Sequence, residues 1–225
     1  MNAKKLSFLL LILVAVACTN RSTSSEQDEM RHWNNVLQQI NALLLENKAR
    51  QTLDLAKQTL PEILESAEKN GTTDTLIYHA RKIFNACGNN YINTKQYKDG
   101  IDYMDSIGNH PLIREHCPHE LLSFKAGLNQ LYGNNPEAVR LAEDYLQLPV
   151  CTSANDFIRQ AEIISGVYMY SGNNLPKAIQ ILEKAIDVYR KGGNFPNMLR
   201  IMSRLGIYYH LSGEYEKAIA TNQEA

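Results

Sequence analysis

Four glycines stand in matching surroundings along this chain: Gly88, Gly127, Gly166 and Gly206, spaced 39, 39 and 40 residues apart. About twelve residues after each comes a second small residue: Gly100, Ala138, Ala178 and Ala218, spaced 38, 40 and 40. A fixed period of this length confines the chain to stacked copies of one small unit, since each copy leaves an apolar face that only its neighbour can cover. The unit is helical. Leu175, Ala178, Ile179, Leu182, Ala185, Ile186 and Tyr189 fall at offsets 0, 3, 4, 7, 10, 11 and 14 and make one stripe on a helix. The small residues allow close helix crossings, at the short end of the roughly 8–10 Å range between axes. Breaks at Gly133-Asn134-Asn135-Pro136, Gly172-Asn173-Asn174 and Gly192 through Pro196 are short enough to join antiparallel neighbours. No stretch sustains the period-two alternation of a strand. The expected fold is all-α, a stack of antiparallel helix pairs with a repeat of about 39–40 residues.

The last unit reads Leu205-Gly206-x-x-Tyr209, then Gly213-x-Tyr215-x-x-Ala218. The unit before carries Gly166, Ala178, Leu182 and Ala185 at the same offsets, and an earlier one carries Gly88, Tyr91, Tyr97 and Gly100. This pattern resembles the tetratricopeptide repeat, with Leu-Gly-x-x-Tyr in a first helix and Ala in a second. The resemblance spans about residues 72–225, with residues 31–71 as a degenerate first helical pair. The usual repeat has about 34 residues, so each unit here is longer by about one and a half helical turns. Long repeats of this kind resemble those of bacterial signalling and regulatory proteins.

The resemblance implies a TPR-like α-solenoid whose first helices line a concave surface that commonly holds peptides. Carried over by register, the lining residues are Lys82, Asn85, Asn89 and Ile92, then Leu121, Phe124, Leu128 and Leu131. The third unit offers Gln160, Ile163, Val167 and Tyr170, and the last offers Arg200, Ser203, Ile207 and His210. Each set recurs every three to four residues and shares one helical face. The middle of such a groove is apolar, flanked by amides and a few cations, and an apolar surface of that size implies a protein or peptide partner. The alternative is a tightly coiled solenoid that buries both faces of its helices. Chaperone-binding members of the family hold a C-terminal carboxylate in a clamp of lysines and asparagines. Asn85 and Asn89 resemble part of it, but Leu and Ile stand where further basic groups are expected.

The N-terminus carries an address. Lys4 and Lys5 precede an apolar run from Leu6 to Ala17. As a helix this run rises about 18 Å, too short for the roughly 30 Å hydrocarbon core, so it reads as a secretory signal over residues 1–17. Val14-Ala15-Val16-Ala17-Cys18 resembles the bacterial lipoprotein signal, with Ala15 where that family more often has Leu. The resemblance implies lipidation of Cys18, a membrane-anchored protein of the bacterial cell envelope, and a flexible tether over residues 18–30.

Charge and motifs exclude much. The formal net charge of -1, from 23 Lys+Arg against 24 Asp+Glu, argues against a nucleic-acid binder that neutralises phosphates. Four cysteines are too few for a disulfide scaffold. Cys87 reads as a small buried hydrophobe, whereas Cys117 and Cys151 precede successive repeats, where pairing depends on strict geometry. His116-Cys117-Pro118-His119, with His110 upstream, has metal-ligand chemistry but no second ligand pair at a recognisable spacing. It reads as a loop with solvated histidines leading into a helix around Pro118. Neither metal nor cofactor is expected. Nucleophile-elbow, phosphate-loop, His-Glu-x-x-His and Cys-x-x-Cys motifs are absent, so the chain is not read as an enzyme.

The sequence stops at Ala225 within a second helix and offers no polar cap, which a solenoid needs. The expectation is a piece of a longer protein. Two functions follow: a lipid-tethered scaffold for protein or peptide partners, or the exported sensor portion of a longer histidine kinase or transcriptional regulator.

Overall fold

The computed structural model describes residues 27–149, 154–192 and 198–225. Among the described residues there are eleven helices and no strand. No helix among them is long and apolar enough to cross a membrane. The signal region, Cys18 and Cys151 lie outside the described residues. The chain divides into two compact units, Met1–Ile83 and Phe84–Ala225.

In the first unit, α1 covers residues 27–45, α2 covers Ala49–Asn70, and α3 (Asp74–Asn93) begins before the division and continues past it. Residue 27 is already helical, inside the stretch assigned to the tether. Trp33, Val36 and Ile40 recur at helical spacing on α1 and are buried, as are Leu53, Ala56, Leu60, Ile63, Leu64 and Ala67 on α2. Polar groups inside this core are paired. Thr52 and Thr59 donate to the Lys48 and Leu55 carbonyls at 2.9 Å each. His79 lies 2.7 Å from the Thr75 carbonyl and 3.0 Å from Asn34 Oδ1. Burial without such partners costs a few kcal/mol per group.

The second unit continues from Phe84 of α3 through α4 (Tyr97–Ile107), α5 (Pro111–His116), α6 (Pro118–Tyr132) and α7 (Asn135–Gln147). It ends with α8 (Ala154–Tyr170), α9 (Leu175–Gly192), α10 (Met198–Ser212) and α11 (Tyr215–Glu224). Helices α6 and α7, α8 and α9, and α10 and α11 pack as pairs, and α4 and α8 also pack on α6. The stripe expected on α9 faces the core: Ala178, Leu182 and Ala185 are inaccessible, and Ile179 and Ile186 are buried. Between pairs, Lys177 of α9 reaches Glu143 of α7, with Nζ 2.6 and 2.8 Å from the carboxylate oxygens. That lysine holds the Glu143 carboxyl below the usual carboxylate range against its partial burial, with help from the Tyr168 hydroxyl.

One turn design closes α3 before α4, α6 before α7 and α10 before α11. At Lys95, Gly133 and Gly213 the backbone enters the left-handed region, with φ of 60°, 96° and 84°. Each of these N–H groups donates to the carbonyl three residues back, at 3.1 Å in all three turns. The next N–H reaches five back: Gln96 to Tyr91, Asn134 to Asn129 and Glu214 to Tyr209, at 3.1, 2.8 and 2.9 Å. This is the Schellman closure, and it favours glycine because a Cβ is crowded at positive φ. Lys95 is the exposed exception. Lys95→Gly is expected to raise stability by up to about 1 kcal/mol, read as a higher urea midpoint at an unchanged slope.

Small residues carry the crossings unevenly. A Cβ on Gly88 would lie 2.4 Å from the Phe124 ring, and one on Gly127 would lie 2.7 Å from Ile163 Cγ2. On Gly206 the neighbour at 2.4 Å is Oδ1 of the exposed Asn222. At Gly166 the nearest atoms are 3.9 Å away, in Arg204 and Gln130. Ala138, Ala178 and Ala218 on the second helices are buried, and Gly100 sits against Tyr91 and Leu128.

Candidate functional site

The first helices of the second unit enclose an open depression of about 230 Å³ around Gly166. Ile92 of α3 and Gln130 and Leu131 of α6 form one side. Helix α8 supplies Arg159, Glu162, Ile163 and Tyr170, and α10 supplies Arg204. Gly127 and Gly166 both line it; only Gly166 has room above it.

Around Glu162, on the wall of this depression, three arginines gather, two at its carboxylate and one at its backbone carbonyl. Glu162 is 2 % exposed. Its Oε2 lies 2.6 Å from Arg200 Nη2 and 3.8 Å from Arg159 Nη1. Arg204 donates from Nη1 to the Glu162 backbone carbonyl at 3.1 Å, and Arg159 donates from Nε to Asn89 Oδ1 at 2.7 Å. Glu162 Oε1 is buried and accepts no hydrogen bond from the described groups. Three cations against one anion leave two positive charges in excess. Burial pushes the Arg159 guanidinium below its ordinary range, Glu162 opposes this, and Arg200 and Arg204 add to it.

Of the lining residues expected from the sequence, the structure brings Asn89, Ile163, Tyr170 and Arg200 into or beside this cluster. Ile92 and Leu131 also line it. Tyr170 is 68 % exposed. Phe124, Leu128 and Val167 belong elsewhere: all three are buried, as is Gln160. Phe124 meets the Phe84 ring edge-on, with centroids 6.2 Å apart. Val167 belongs to the apolar core around α9, and Gln160 accepts from the Tyr145 hydroxyl at 3.2 Å. Asn85, Ile207 and His210 do not line the depression; Ile207 and His210 are exposed, and His210 packs its ring against Tyr215.

The physical reason is rotation. The expected face on α8 runs through 160, 163, 167 and 170, whereas the residues lining the depression are 159, 162, 163, 166 and 170. One residue is about 100° around a helix, enough to exchange an arginine for a core valine. The middle of the face is therefore cationic, with its apolar groups to the side. Arg159, Glu162 and Arg204 are the residues that sequence reasoning missed. The signal was present in two spacings: Arg159 and Glu162 are three apart, Arg200 and Arg204 four apart, so each pair shares a face.

The segment around His116 is more ordered than expected. Instead of a plain loop it contains α5, capped by His110, whose Nδ1 accepts from the Leu112 N–H at 3.2 Å. Cys117 is buried where α5 meets α6. His119 lies 2.7 Å from the Pro149 carbonyl and against the Tyr145 ring. Among the described residues, no three His, Cys, Asp or Glu side chains are grouped as metal ligands. Cys87 is buried with its Sγ 3.9 Å from the Tyr103 hydroxyl.

The tetratricopeptide repeat family matches residues 161–225, which contain the last three full helices and most of α8. Among solved structures, the chain is similar to the nearly identical TPR-like repeats of a Podosopora anserina protein described as a kinesin light chain. Identity is 12%, the TM-score is 0.53, and the match covers 85% of this chain and 91% of that one. A second crystal structure of those repeats gives 12%, 0.52, 84% and 91%. MamA of Desulfovibrio magneticus RS-1 matches at 15% identity and a TM-score of 0.48, over 88% of this chain and 93% of that one. No curated protein matches the chain. At 12% identity the likeness is one of fold: an all-α, TPR-like α-solenoid of antiparallel helix pairs.

Proposed function

We propose that this chain is an exported, lipid-anchored helical-repeat scaffold that binds a protein or peptide partner on the face of its first helices. The observation that carries the binding part is the depression at Gly166, open on a face otherwise closed by Phe124 and Ile163 against the neighbouring glycines. Helical-repeat folds offer extended surfaces of this kind to partners. Export and anchoring rest on the leader and on Cys18.

A photocrosslinking side chain placed at Tyr170 is expected to give a discrete crosslinked species in cells. The same group at exposed Glu216, on α11, is expected to give none. Equal crosslinking from both positions would refute the assignment. For the anchor, the N-terminal proteolytic peptide of membrane-extracted protein should begin at Cys18 and carry a diacyl or triacyl group, and an unmodified Cys18 would remove the lipid.

A further inference from the structure

We infer that the depression at Gly166 takes an acidic peptide, with one side-chain carboxylate seated between Arg200 and Arg204 and an apolar neighbour against Tyr170 and Leu131. This rests on the binding face proposed above and adds the chemistry of its partner.

The charge count is the starting point. Arg159 and Arg200 converge on the single carboxylate of Glu162, and Arg204 holds the backbone carbonyl of the same residue. Each guanidinium has five N–H donors in a planar fork suited to carboxylate. The described contacts set Arg204 on the Glu162 backbone carbonyl and beside Tyr208, and Arg159 on Asn89 and the Glu162 carboxylate, fewer partners than their donors can take. Like charges held this close repel one another, and partial burial weakens the screening by water. A second carboxylate lowers the excess from two positive charges to one and gains from every guanidinium present.

The surroundings select a peptide over a bare anion or a nucleic acid. Ile92, Leu131, Ile163 and Tyr170 border the cluster, so a side chain next to the acid finds apolar contact. A free phosphate uses none of that surface. Nucleic-acid binding depends on neutralising many phosphates, and a chain of net charge -1 with one three-arginine cluster is poorly equipped for it. Charge complementarity supplies specificity and association rate at such sites.

The test uses fluorescein-labelled peptides of alternating Glu and Leu, of alternating Gln and Leu, and of alternating Lys and Leu, with the whole chain and polarisation as readout. The Glu-Leu peptide is expected to bind at least about tenfold more tightly than the Gln-Leu peptide, with the Lys-Leu peptide weakest. In Arg200→Gln/Arg204→Gln, Arg159 still balances Glu162, and the preference for Glu over Gln should vanish. Gly166→Leu fills the depression and leaves every charge in place, and should abolish binding of both peptides; Tyr170→Ala, a surface change, should weaken both. Equal affinity for Glu-Leu and Gln-Leu, with both lost in Gly166→Leu, overturns the acidic partner and leaves the binding face standing. Undiminished binding in both Gly166→Leu and Tyr170→Ala overturns the face itself. No binding of Glu-Leu at about 1 mM, or its complete displacement by an equal concentration of inorganic phosphate, also overturns the acidic-peptide inference.

Discussion

Phe124→Ala is expected to lower the unfolding free energy by about 3–5 kcal/mol, the cost of truncating a fully buried aromatic that leaves a cavity. Phe124 is 1 % exposed, stands edge-on to Phe84, and covers Gly88. Nothing on that helix can collapse cheaply into its place, since Ser123 and Ala126 beside it are inaccessible as well. Tyr170→Ala, on the same face of the repeat stack by sequence register, should move stability by less than about 0.5 kcal/mol because the side chain is mostly in solvent. Chemical denaturation of the two variants separates a core aromatic from a surface one. Similar losses in both would mean that the depression is closed and that Tyr170 packs into it.

The second large effect is a contrast between two glycines that the sequence makes equivalent. Gly88→Ala should destabilise by about 1–3 kcal/mol, because its Cβ would come within 2.4 Å of the rigid, buried Phe124 ring, which has no room to retreat. Gly166→Ala should be neutral or stabilising by up to about 1 kcal/mol, since its Cβ meets nothing nearer than 3.9 Å and alanine is the better helix former. Urea midpoints at equal slopes provide the measurement. Equal destabilisation at both positions would show that Gly166 is as tightly crossed as Gly88.

The architecture is written in the sequence because the forces behind it are local and repeated. Apolar stripes with period 3.6 form helices, and Gly–Asn breaks end them. Small residues at a fixed spacing set the pairing. Spacing alone puts Leu182, Ala185 and Ile186 on the buried face of α9, and they lie there. The site was harder to read because a face is fixed by which neighbour covers it, and spacing gives only the period. Phe124 and Ile163 occupy comparable places against Gly88 and Gly127, yet one is fully buried and the other borders the depression. The arginine cluster was hidden for the same reason. Arg159 and Arg204 belong to different units of the repeat, and only the fold brings them to the same glutamate.

The burial of Cys87 and Cys117 has a practical consequence. Both side chains are inaccessible, one in the middle of α3 and the other at the junction of α5 and α6. Alkylation of either by a water-soluble reagent must wait for the surrounding helices to part, so the rate of labelling clocks that opening. The protein thus carries two native reporters at different points along its stack. With Cys18 and Cys151 replaced by serine, modification at equal rates would indicate that the two regions open together. A faster reaction at one of them would locate the weaker seam.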